Sequence, residues 1–245
     1  MQVGCRRACG FCATGTMGLQ ANLRWTEILA QVEVARALAE VLSLPPLRNV
    51  VFMGMGEPLD NARHVAQALA VLTHPKGLGV APRHVTVSTV APSLAALELL
   101  VAWPCHIAWS LHSADDAVRA ALVPTTAHRV SELANAVLDL ASRRNQRIFV
   151  EMTLIDGVND RPRDADLAAR LFEAAPRRVR FNLLAVNPTE KGFRPPPDEK
   201  LLAFRDRLRA HGHFAMVRRP RGRDRSAACG QLVTLPGARW RVLET

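Results

Sequence analysis

Long apolar runs are missing from this chain of 245 residues. No window of about 18 residues is apolar and uncharged throughout, so no segment has the composition of a membrane-spanning helix. The first residues also lack the apolar stretch of a secretory signal peptide, because Met1 is followed almost at once by Cys5. These absences predict a cytoplasmic protein without a membrane segment.

The chain has five cysteines, which is an odd number. Three of them, Cys5, Cys9 and Cys12, lie close together near the start of the sequence. This pattern does not match the disulfide framework of a small secreted domain. No fourth Cys or His lies nearby in sequence, so the three do not complete a local zinc site. Three thiolates can instead hold a cubane iron–sulfur cluster and leave one iron open for a ligand. A zinc knuckle completed by a distant residue such as Cys229 stays the alternative.

Lysine is also scarce, and nearly all positive charges are arginines. The chain carries 32 Lys and Arg against 22 Asp and Glu, a net charge of +10. Arginine binds phosphates bidentately and stacks on bases, so the excess favours a nucleic-acid partner. A high-GC genome would explain the preference for Arg over Lys but not the net excess.

Internal repeats and low-complexity tracts are absent, and short apolar runs alternate with amphipathic segments. Buried strands are predicted at residues 49–53, 84–89, 106–112, 148–154, 179–183 and 214–217. Helices are predicted at residues 26–42, 62–72, 94–101, 115–122, 130–142 and 165–174, and a last helix is opened by residues 195–198 and runs to about residue 210. This alternation predicts the α/β class, with a parallel sheet and right-handed crossovers, as an open or closed barrel. We expect one domain over residues 1–219 and a C-terminal extension over residues 220–245.

Polar residues follow the predicted strands where the chain leaves the sheet. The stretches at these strand ends are Gly56 with Glu57, Ser88 with Thr89, Ser110 to His112 (with Leu111 between them), Asp156, Asn159 and Asn187. Because the carboxyl ends of parallel strands meet at one edge, we expect a ligand site there. Gly56 permits close approach of a ligand to the backbone, and Glu57 offers a carboxylate for an ammonium group. Taken alone, each is also an ordinary loop residue, and His112 alone favours a hydrogen-bonded structural role.

Cys229 stands among small residues near the end of the chain. Its cationic neighbours Arg223 and Arg225 favour the thiolate, which is the nucleophilic form of the side chain. The alternative for Cys229 is a buried small apolar residue, which is the role that we expect for Cys105.

Several stretches together resemble the radical S-adenosylmethionine superfamily, and more closely its RlmN/Cfr family of ribosomal-RNA adenine methyltransferases. They are residues 2–5, 11–12, 52–59, 85–89, 110–112, 156–160, 182–183, 187–188 and 227–232. The resemblance implies a partial (β/α)6-type radical S-adenosylmethionine barrel whose first strand is largely missing, with a C-terminal extension and without the family's N-terminal accessory domain.

The resemblance also implies the cofactors and their contacts. Cys5, Cys9 and Cys12 would hold a [4Fe-4S] cluster whose fourth iron binds S-adenosylmethionine. Further cofactor contacts are expected from Gly56, Glu57, Ser88, Ser110, Leu111, His112 and Asn187. Cys229 would be the catalytic methyl carrier, methylated by one S-adenosylmethionine. A 5′-deoxyadenosyl radical from a second one would take a hydrogen from that methyl. The resulting carbon radical would add to adenine, at C2 by default or at C8 in a resistance-conferring branch.

The implied partners are RNA and an electron donor such as flavodoxin. The RNA would be 23S ribosomal RNA, with transfer RNA as a further candidate, and we expect a monomer. Phosphate contacts are predicted at Arg177, Arg178, Arg180, Arg218, Arg219, Arg221, Arg223 and Arg225.

Members of this family also carry an upstream RNA-binding domain, a catalytic base and a cysteine on the first strand, whereas this sequence starts at Met1. Two interpretations follow: a fragment of an ordinary adenine methyltransferase, or a short paralogue that binds the cofactors without completing RNA methylation. An open sheet edge is costly in a soluble protein, which favours the fragment. A non-enzymatic iron–sulfur or zinc-stabilised RNA-binding protein is the third interpretation.

Overall fold

The computed structural model describes residues 1–189, 192–219 and 228–233. Most of the predicted C-terminal extension, including Arg221, Arg223 and Arg225, lies outside the described residues. The strands are β1 (Gln2–Gly4), β2 (Leu19–Asn22), β3 (Val50–Phe52), β4 (Val85–Thr89), β5 (His106–Ser110), β6 (Ile148–Leu154), β7 (Val179–Ala185) and β8 (Phe214–Val217). The α-helices are α1 (Ala13–Thr16), α2 (Trp25–Val41), α3 (Ala62–Thr73), α4 (Leu94–Glu98), α5 (Asp116–Leu122), α6 (Val130–Arg143), α7 (Pro162–Arg170) and α8 (Asp198–Ala210).

Strands β3 to β8 form a parallel sheet whose order follows the chain, and it has six strands within the described ranges. Each crossover between neighbouring strands therefore moves the chain by one position and carries helical structure across. In the part of the chain that the structure describes, β3 does not pair with β8, so the sheet is not a closed barrel. The predicted α/β class and the partial barrel are confirmed.

A second, antiparallel sheet was not predicted. β1 pairs with β2, with Gln2 opposite Asn22, and the Gln2 Nε2 donates a hydrogen bond of 2.6 Å to the Asn22 Oδ1. Strand β2 is short and alternates between half-buried and exposed residues, so no apolar run marks it in the sequence. The hairpin encloses the cysteine loop, which runs from Cys5 to Cys12 between β1 and α1, and so holds both ends of that loop.

Two predicted helices differ from the structure by more than one residue at a boundary, and the second of them, α7, ends at Arg170 rather than at residue 174. The helix predicted at residues 94–101 is α4 followed by a 3-10 turn at Leu99–Ala102. Helix α7 begins at Pro162 rather than at residue 165, because proline is tolerated in the first turn, where its missing amide has no acceptor. The Asp164 carboxylate also accepts a hydrogen bond of 3.0 Å from the Arg161 amide at this end.

The hydrophobic core lies between the sheet and the helices. Trp109 is fully buried and packs edge-on against Phe172, whose ring in turn contacts Phe181, at centroid distances of 6.1 and 5.7 Å. Alternate residues of the same strands are polar, and Ser110, Glu151 and Asn182 are direct neighbours in register across β5, β6 and β7. The strands thus give an apolar face to the core and a polar face to the site. Within the described ranges, no helix combines the length and apolarity needed to cross a membrane.

Candidate functional site

The cysteine loop is closed by backbone hydrogen bonds. The Cys5 amide donates to the Gly18 carbonyl at 2.9 Å, and the Cys12 amide donates to the Cys9 carbonyl at 3.1 Å. Gly4, just before the loop, has a φ of +75°, and a Cβ there would lie 1.8 Å from the Gly18 oxygen. Only glycine fits this position, because it has neither the strain nor the clash of a Cβ.

An ion pair ties the loop to the turn that follows β3. The Arg7 Nε donates to the Asp60 Oδ2 at 2.8 Å, and its Nη2 bonds the second carboxylate oxygen. The Asp60 side chain is largely buried. A bidentate guanidinium–carboxylate pair in this setting fixes orientation as well as position. The loop is therefore held at its middle as well as at its ends.

The three loop thiols are free and partly exposed. Burial raises the pKa of Cys9 to about 12, and the neighbouring Cys12 and Cys5 add to that shift. Burial also raises the pKa of Cys5, although the Arg7 amide points at its Sγ from 3.4 Å and opposes the shift. Without added positive charge these two thiols stay protonated at neutral pH, and iron would supply that charge.

The described residues form no ready-made site for a single metal ion. Among the described residues, no group of three or more His, Cys, Asp or Glu side chains is placed to hold one ion. A zinc knuckle needs four ligands on the same ion, whereas an iron–sulfur cluster takes several thiolates over several irons. The zinc alternative that included Cys229 therefore finds no ready ligand group among the described residues, and a cluster on the cysteine loop stays a prediction.

Residues 228–233 lie against the cysteine loop, although more than 200 positions separate them in sequence. The Ala13 amide donates to the Gly230 carbonyl at 2.7 Å. The Thr14 hydroxyl donates to the Leu232 carbonyl at 2.5 Å. These bonds place the segment that contains Cys229 beside the thiols of the loop.

Asn187, which follows β7, holds the same segment from the other side. Its Nδ2 donates a hydrogen bond of 2.8 Å to the Cys229 carbonyl. Asn187 is buried, and together with Cys229, Phe11 and Thr153 it lines a small recess. The structure therefore brings together two residues that the sequence analysis assigned to the site.

The residues around Cys229 do not activate its thiol. The residue as a whole is exposed, yet desolvation of its thiol by burial raises the pKa of that thiol to about 11, with Cys12 and Glu151 adding to the shift and Arg218 opposing it. The arginines that we expected to favour its thiolate lie outside the described residues. The described part of the chain thus holds Cys229 as a neutral thiol at neutral pH.

Glu57 is a buried carboxylate at the end of β3. It accepts hydrogen bonds from the Thr89 hydroxyl at 2.6 Å and from the amides of Val90 and Leu59 at 3.0 and 3.1 Å. Burial outweighs these bonds and raises the pKa of Glu57 to about 7. A carboxylate with this pKa gains much from a nearby cation, because the ion pair removes the cost of its desolvation.

Gln2 connects the β1–β2 hairpin to the turn that carries Gly56 and Glu57. Its Oε1 accepts a hydrogen bond of 2.8 Å from the Glu57 amide. Gly56 has a φ of +93°, and a Cβ there would lie 2.4–2.7 Å from the Gln2 side chain. The close packing of Gln2 on the turn thus needs glycine at position 56.

The ends of β4 and β5 contribute hydroxyls and a histidine. The hydroxyls of Ser88 and Ser110 lie 3.0 Å apart. His112 is buried, its Nδ1 accepts a hydrogen bond of 3.2 Å from the Thr153 amide, and its ring meets Phe11 edge-on at 4.7 Å. Burial lowers the pKa of His112 to about 3, so the ring stays neutral. These contacts match the hydrogen-bonded structural role of the ring.

Arg119 is a site residue that the sequence analysis missed. It is 2% exposed, and its guanidinium donates to the carbonyls of Ser110 at 3.0 Å, Leu111, and Val90 at 2.7 Å. The group also lies 5.5 Å from the centre of the Trp109 ring. In the described ranges it pairs with no carboxylate. Burial lowers the pKa of Arg119 to about 10, so it still adds a fixed positive charge to the site.

Glu151, Asn182 and Arg218 form a second polar group that was not predicted as part of the site. The Asn182 Nδ2 donates to the Glu151 Oε1 at 2.7 Å, and the Arg218 Nη1 lies 3.4 Å from the Glu151 Oε2. Burial raises the pKa of Glu151, while Asn182 and Arg218 oppose the shift. The sequence carried one signal for this group, since Asn182 lies in a stretch that supports the family resemblance.

The five predicted phosphate contacts that lie among the described residues fall at two opposite edges of the sheet. Arg218 and Arg219 follow β8, at the carboxyl edge that carries the cysteine loop. Arg177, Arg178 and Arg180 instead lie at the start of β7, at the amino edge. The structure therefore does not bring these three arginines to the site.

Comparisons with known proteins agree with the fold and with the cysteine loop. Residues 1–169 match the family described as the radical SAM superfamily. Over 245 aligned residues the chain is 44% identical to the dual-specificity RNA methyltransferase RlmN of Sorangium cellulosum, covering 98% of this chain and 62% of that protein. It is 40% identical to a "Probable dual-specificity RNA methyltransferase RlmN" of Deinococcus deserti, covering 96% of this chain and 69% of that protein.

A solved structure is similar as well. The crystal structure of a radical SAM methyltransferase from Sphaerobacter thermophilus matches with a TM-score of 0.88 at 38% identity, over 94% of this chain and 67% of that chain. Fold and site thus define a radical SAM protein. The chain belongs to this superfamily and, within it, to the RlmN family of RNA methyltransferases. It spans 62% of the length of the Sorangium relative.

Proposed function

We propose that this protein is a radical S-adenosylmethionine RNA methyltransferase. Its substrate would be an adenine of 23S ribosomal RNA, methylated at C2 rather than C8, with transfer RNA as a further substrate. The observation that carries the proposal is the contact between the Cys229 segment and the cysteine loop, because it puts a fourth thiol close to the three clustered ones. RNA as the substrate is supported by the names of the relatives in Sorangium cellulosum and Deinococcus deserti.

Cys5, Cys9 and Cys12 would hold the [4Fe-4S] cluster, which fits their free thiols on one loop. When bound, the cluster and S-adenosylmethionine supply a 5′-deoxyadenosyl radical and the methyl group. Glu57 would pair with the ammonium group of S-adenosylmethionine, since a cation relieves the burial of this carboxylate. The remaining contacts are proposed for Gly56, Ser88, Ser110, Leu111, His112 and Asn187.

Cys229 would accept the methyl group before RNA receives it. The Cys229 Sγ would lose its proton to solvent and form a bond to the methyl carbon, whose bond to the sulfonium sulfur would break, leaving S-adenosylhomocysteine. The pKa of about 11 means that few Cys229 thiols are ionised at neutral pH. The positive sulfonium would favour the thiolate as it approaches, because an opposite charge lowers a thiol pKa.

A methyl-carrying thiol together with a radical would allow methylation at C2 of adenine, the proposed substrate atom. An aromatic C–H of adenine offers no lone pair for ordinary polar methyl transfer, so activation of the methyl group solves a real chemical difficulty. The adenine would have to leave its stack to reach the carboxyl edge of the sheet. We also predict an electron donor such as flavodoxin. The predicted monomeric state can be tested by sedimentation of the purified chain.

Anaerobic reconstitution with iron and sulfide tests the cluster. We expect about four irons per chain and a charge-transfer absorption band, both lost in Cys5→Ala, Cys9→Ala and Cys12→Ala. Cys105→Ala is the matched control, because this buried thiol lies in the core and should leave the iron content unchanged. Addition of S-adenosylmethionine and dithionite should release 5′-deoxyadenosine. No release from a fully loaded chain would defeat the radical enzyme.

Mass spectrometry of the chain after incubation with S-adenosylmethionine tests the carrier. One methyl group is expected on Cys229 and none in Cys229→Ala, while both proteins keep their iron. A methyl group on another residue, or on none, would contradict the assigned role. Chromatography of digested RNA against 2-methyladenosine and 8-methyladenosine then identifies the product. Release of 5′-deoxyadenosine without any methyladenosine would favour the paralogue that binds the cofactors without completing RNA methylation.

A further inference from the structure

A large cavity opens at the amino edge of the sheet, away from the cysteine loop. Its volume is about 930 Å³, and it lies where β5, β6 and β7 begin. Four arginines line it, namely Arg147, Arg177, Arg178 and Arg180, and no acidic side chain of the described residues does so. The neighbouring cavity of about 340 Å³ shares three of these arginines and also has no acidic lining residue.

The described part of the protein does not neutralise the four arginines. Within the described ranges none of them forms an ion pair with a carboxylate, and Arg178 only approaches the Asn145 Oδ1 at 3.5 Å. Other surface arginines differ, as Arg207 shows by its bond of 2.6 Å to the Asp166 carboxylate. Four like charges around one cavity create a positive potential that attracts polyanions.

An exposed aromatic ring stands next to these charges. The Arg180 guanidinium lies 5.2 Å from the centre of the Phe214 ring, and Phe214 is 51% exposed on the edge strand β8. Phe149 lines the larger cavity. Guanidinium groups for phosphates beside aromatic faces for bases are the combination that binds unpaired nucleic acid.

We propose that the amino edge of the sheet binds an unpaired segment of RNA, with phosphates on Arg147, Arg177, Arg178 and Arg180 and one base stacked on Phe214. The inference rests on the proposed function, because it takes RNA as the substrate. The amino-edge site would be a second RNA contact, separate from the site of the methylated nucleotide. Strands of five to seven residues separate the two edges, which is roughly 20 Å. The bound segment therefore belongs to a flanking part of a large folded RNA.

An acidic electron-donor protein fits this surface less well. Its electron would have to cross the length of the sheet to the cysteine loop, whereas a large RNA can reach both edges. The lining also offers several guanidinium groups at once, which suits a chain of phosphates.

The test measures RNA affinity of the full chain without cofactors, by fluorescence anisotropy of a labelled RNA hairpin with an unpaired adenine-containing loop. We expect the double variant Arg147→Gln/Arg180→Gln to bind at least tenfold more weakly near 0.1 M salt. The slope of the logarithm of the binding constant against the logarithm of the salt concentration should become shallower by about 1.4, since each of the two lost phosphate contacts to a single strand contributes about 0.7. Phe214→Leu should weaken binding roughly tenfold without changing that slope.

The matched control is Arg205→Gln/Arg207→Gln on α8, which removes the same charge from arginines that are ion-paired. Its affinity should stay within twofold of wild type. Equal losses of RNA affinity in both double variants, or no loss in either, would overturn the proposed site. Displacement of the RNA by polyglutamate as readily as by unlabelled RNA would overturn it as well. A wild-type chain that binds no RNA would defeat the proposed RNA substrate as well. RNA methylation with unchanged binding in Arg147→Gln/Arg180→Gln would defeat only the amino-edge site.

Discussion

The side-chain amide of Asn187 donates a hydrogen bond of 2.8 Å to the backbone carbonyl of Cys229. This bond joins the end of β7 to a segment that also bonds the cysteine loop through Ala13 and Thr14. The central sheet, the cysteine loop and the Cys229 segment are therefore one connected unit. A substitution of Asn187 should therefore affect the cysteine loop.

The first prediction concerns this connection. The double variant Asn187→Leu/Thr14→Val removes two side-chain donors, each worth about 1 kcal/mol. We expect hydrogen exchange of the Ala13 amide, which bonds Gly230, to accelerate by roughly tenfold or more. Thr73→Val is the control, because its hydroxyl bonds only within α3. Unchanged exchange at Ala13 would show that these two side chains do not hold the segment.

The second prediction concerns Arg119. Arg119→Met should lower the free energy of unfolding by about 3 kcal/mol, because the carbonyls of Val90, Ser110 and Leu111 lose a buried donor. Urea denaturation measures the change. Arg207→Met removes an exposed, ion-paired arginine and should cost less than about 1 kcal/mol. Equal costs for both variants would contradict the role of Arg119 in holding the ends of β4 and β5.

The strands of the parallel sheet could be predicted because their burial leaves short, mostly apolar stretches in the sequence. Residues 148–154 were predicted as a strand, and β6 has the same bounds. Strand β2 could not be found in this way, because its pairing with β1 is a tertiary contact and its own residues are half exposed. The periodicity of apolar residues in a sequence reflects which residues are buried. A partly exposed hairpin has few buried residues and therefore little such periodicity.

The same distinction applies to the site. Glu57, Ser110 and Asn187 could be proposed because parallel topology brings the carboxyl ends of strands together. Arg119 could not, since a buried arginine and a surface arginine on an amphipathic helix look alike in sequence. Arg180 was grouped with the site by charge alone, and its position at the start of β7 places it at the other edge.

The third prediction concerns the entrance to the cysteine loop. Gly4→Ala should destabilise the protein by several kcal/mol, because a Cβ would lie 1.8 Å from the Gly18 oxygen and the φ is +75°. Gly79→Ala has a similar φ of +66° with nothing within 4 Å, so it should show only the strain of about 1 kcal/mol. Thermal unfolding of both variants separates clash from strain, and equal shifts would remove the argument for a clash at Gly4.

The last prediction concerns the pH dependence of stability at Glu57. Burial raises the pKa of this carboxyl from 4.5 to about 7 in the folded chain. The folded state therefore holds the proton more tightly than the unfolded state does. The stability that this proton contributes is fully present below pH 4.5 and is lost as the pH rises to about 7.

Glu57→Gln cannot titrate and serves as the reference. The free energy of unfolding of wild type relative to Glu57→Gln should fall by about 3 kcal/mol between pH 4 and pH 8. Urea denaturation of the cofactor-free chain at several pH values measures the difference, in which the titration of all other groups cancels. A constant difference across this range would mean that Glu57 titrates normally in the folded chain. S-adenosylmethionine, if its ammonium pairs with Glu57, should flatten the slope, because the cation lowers the pKa of the folded state.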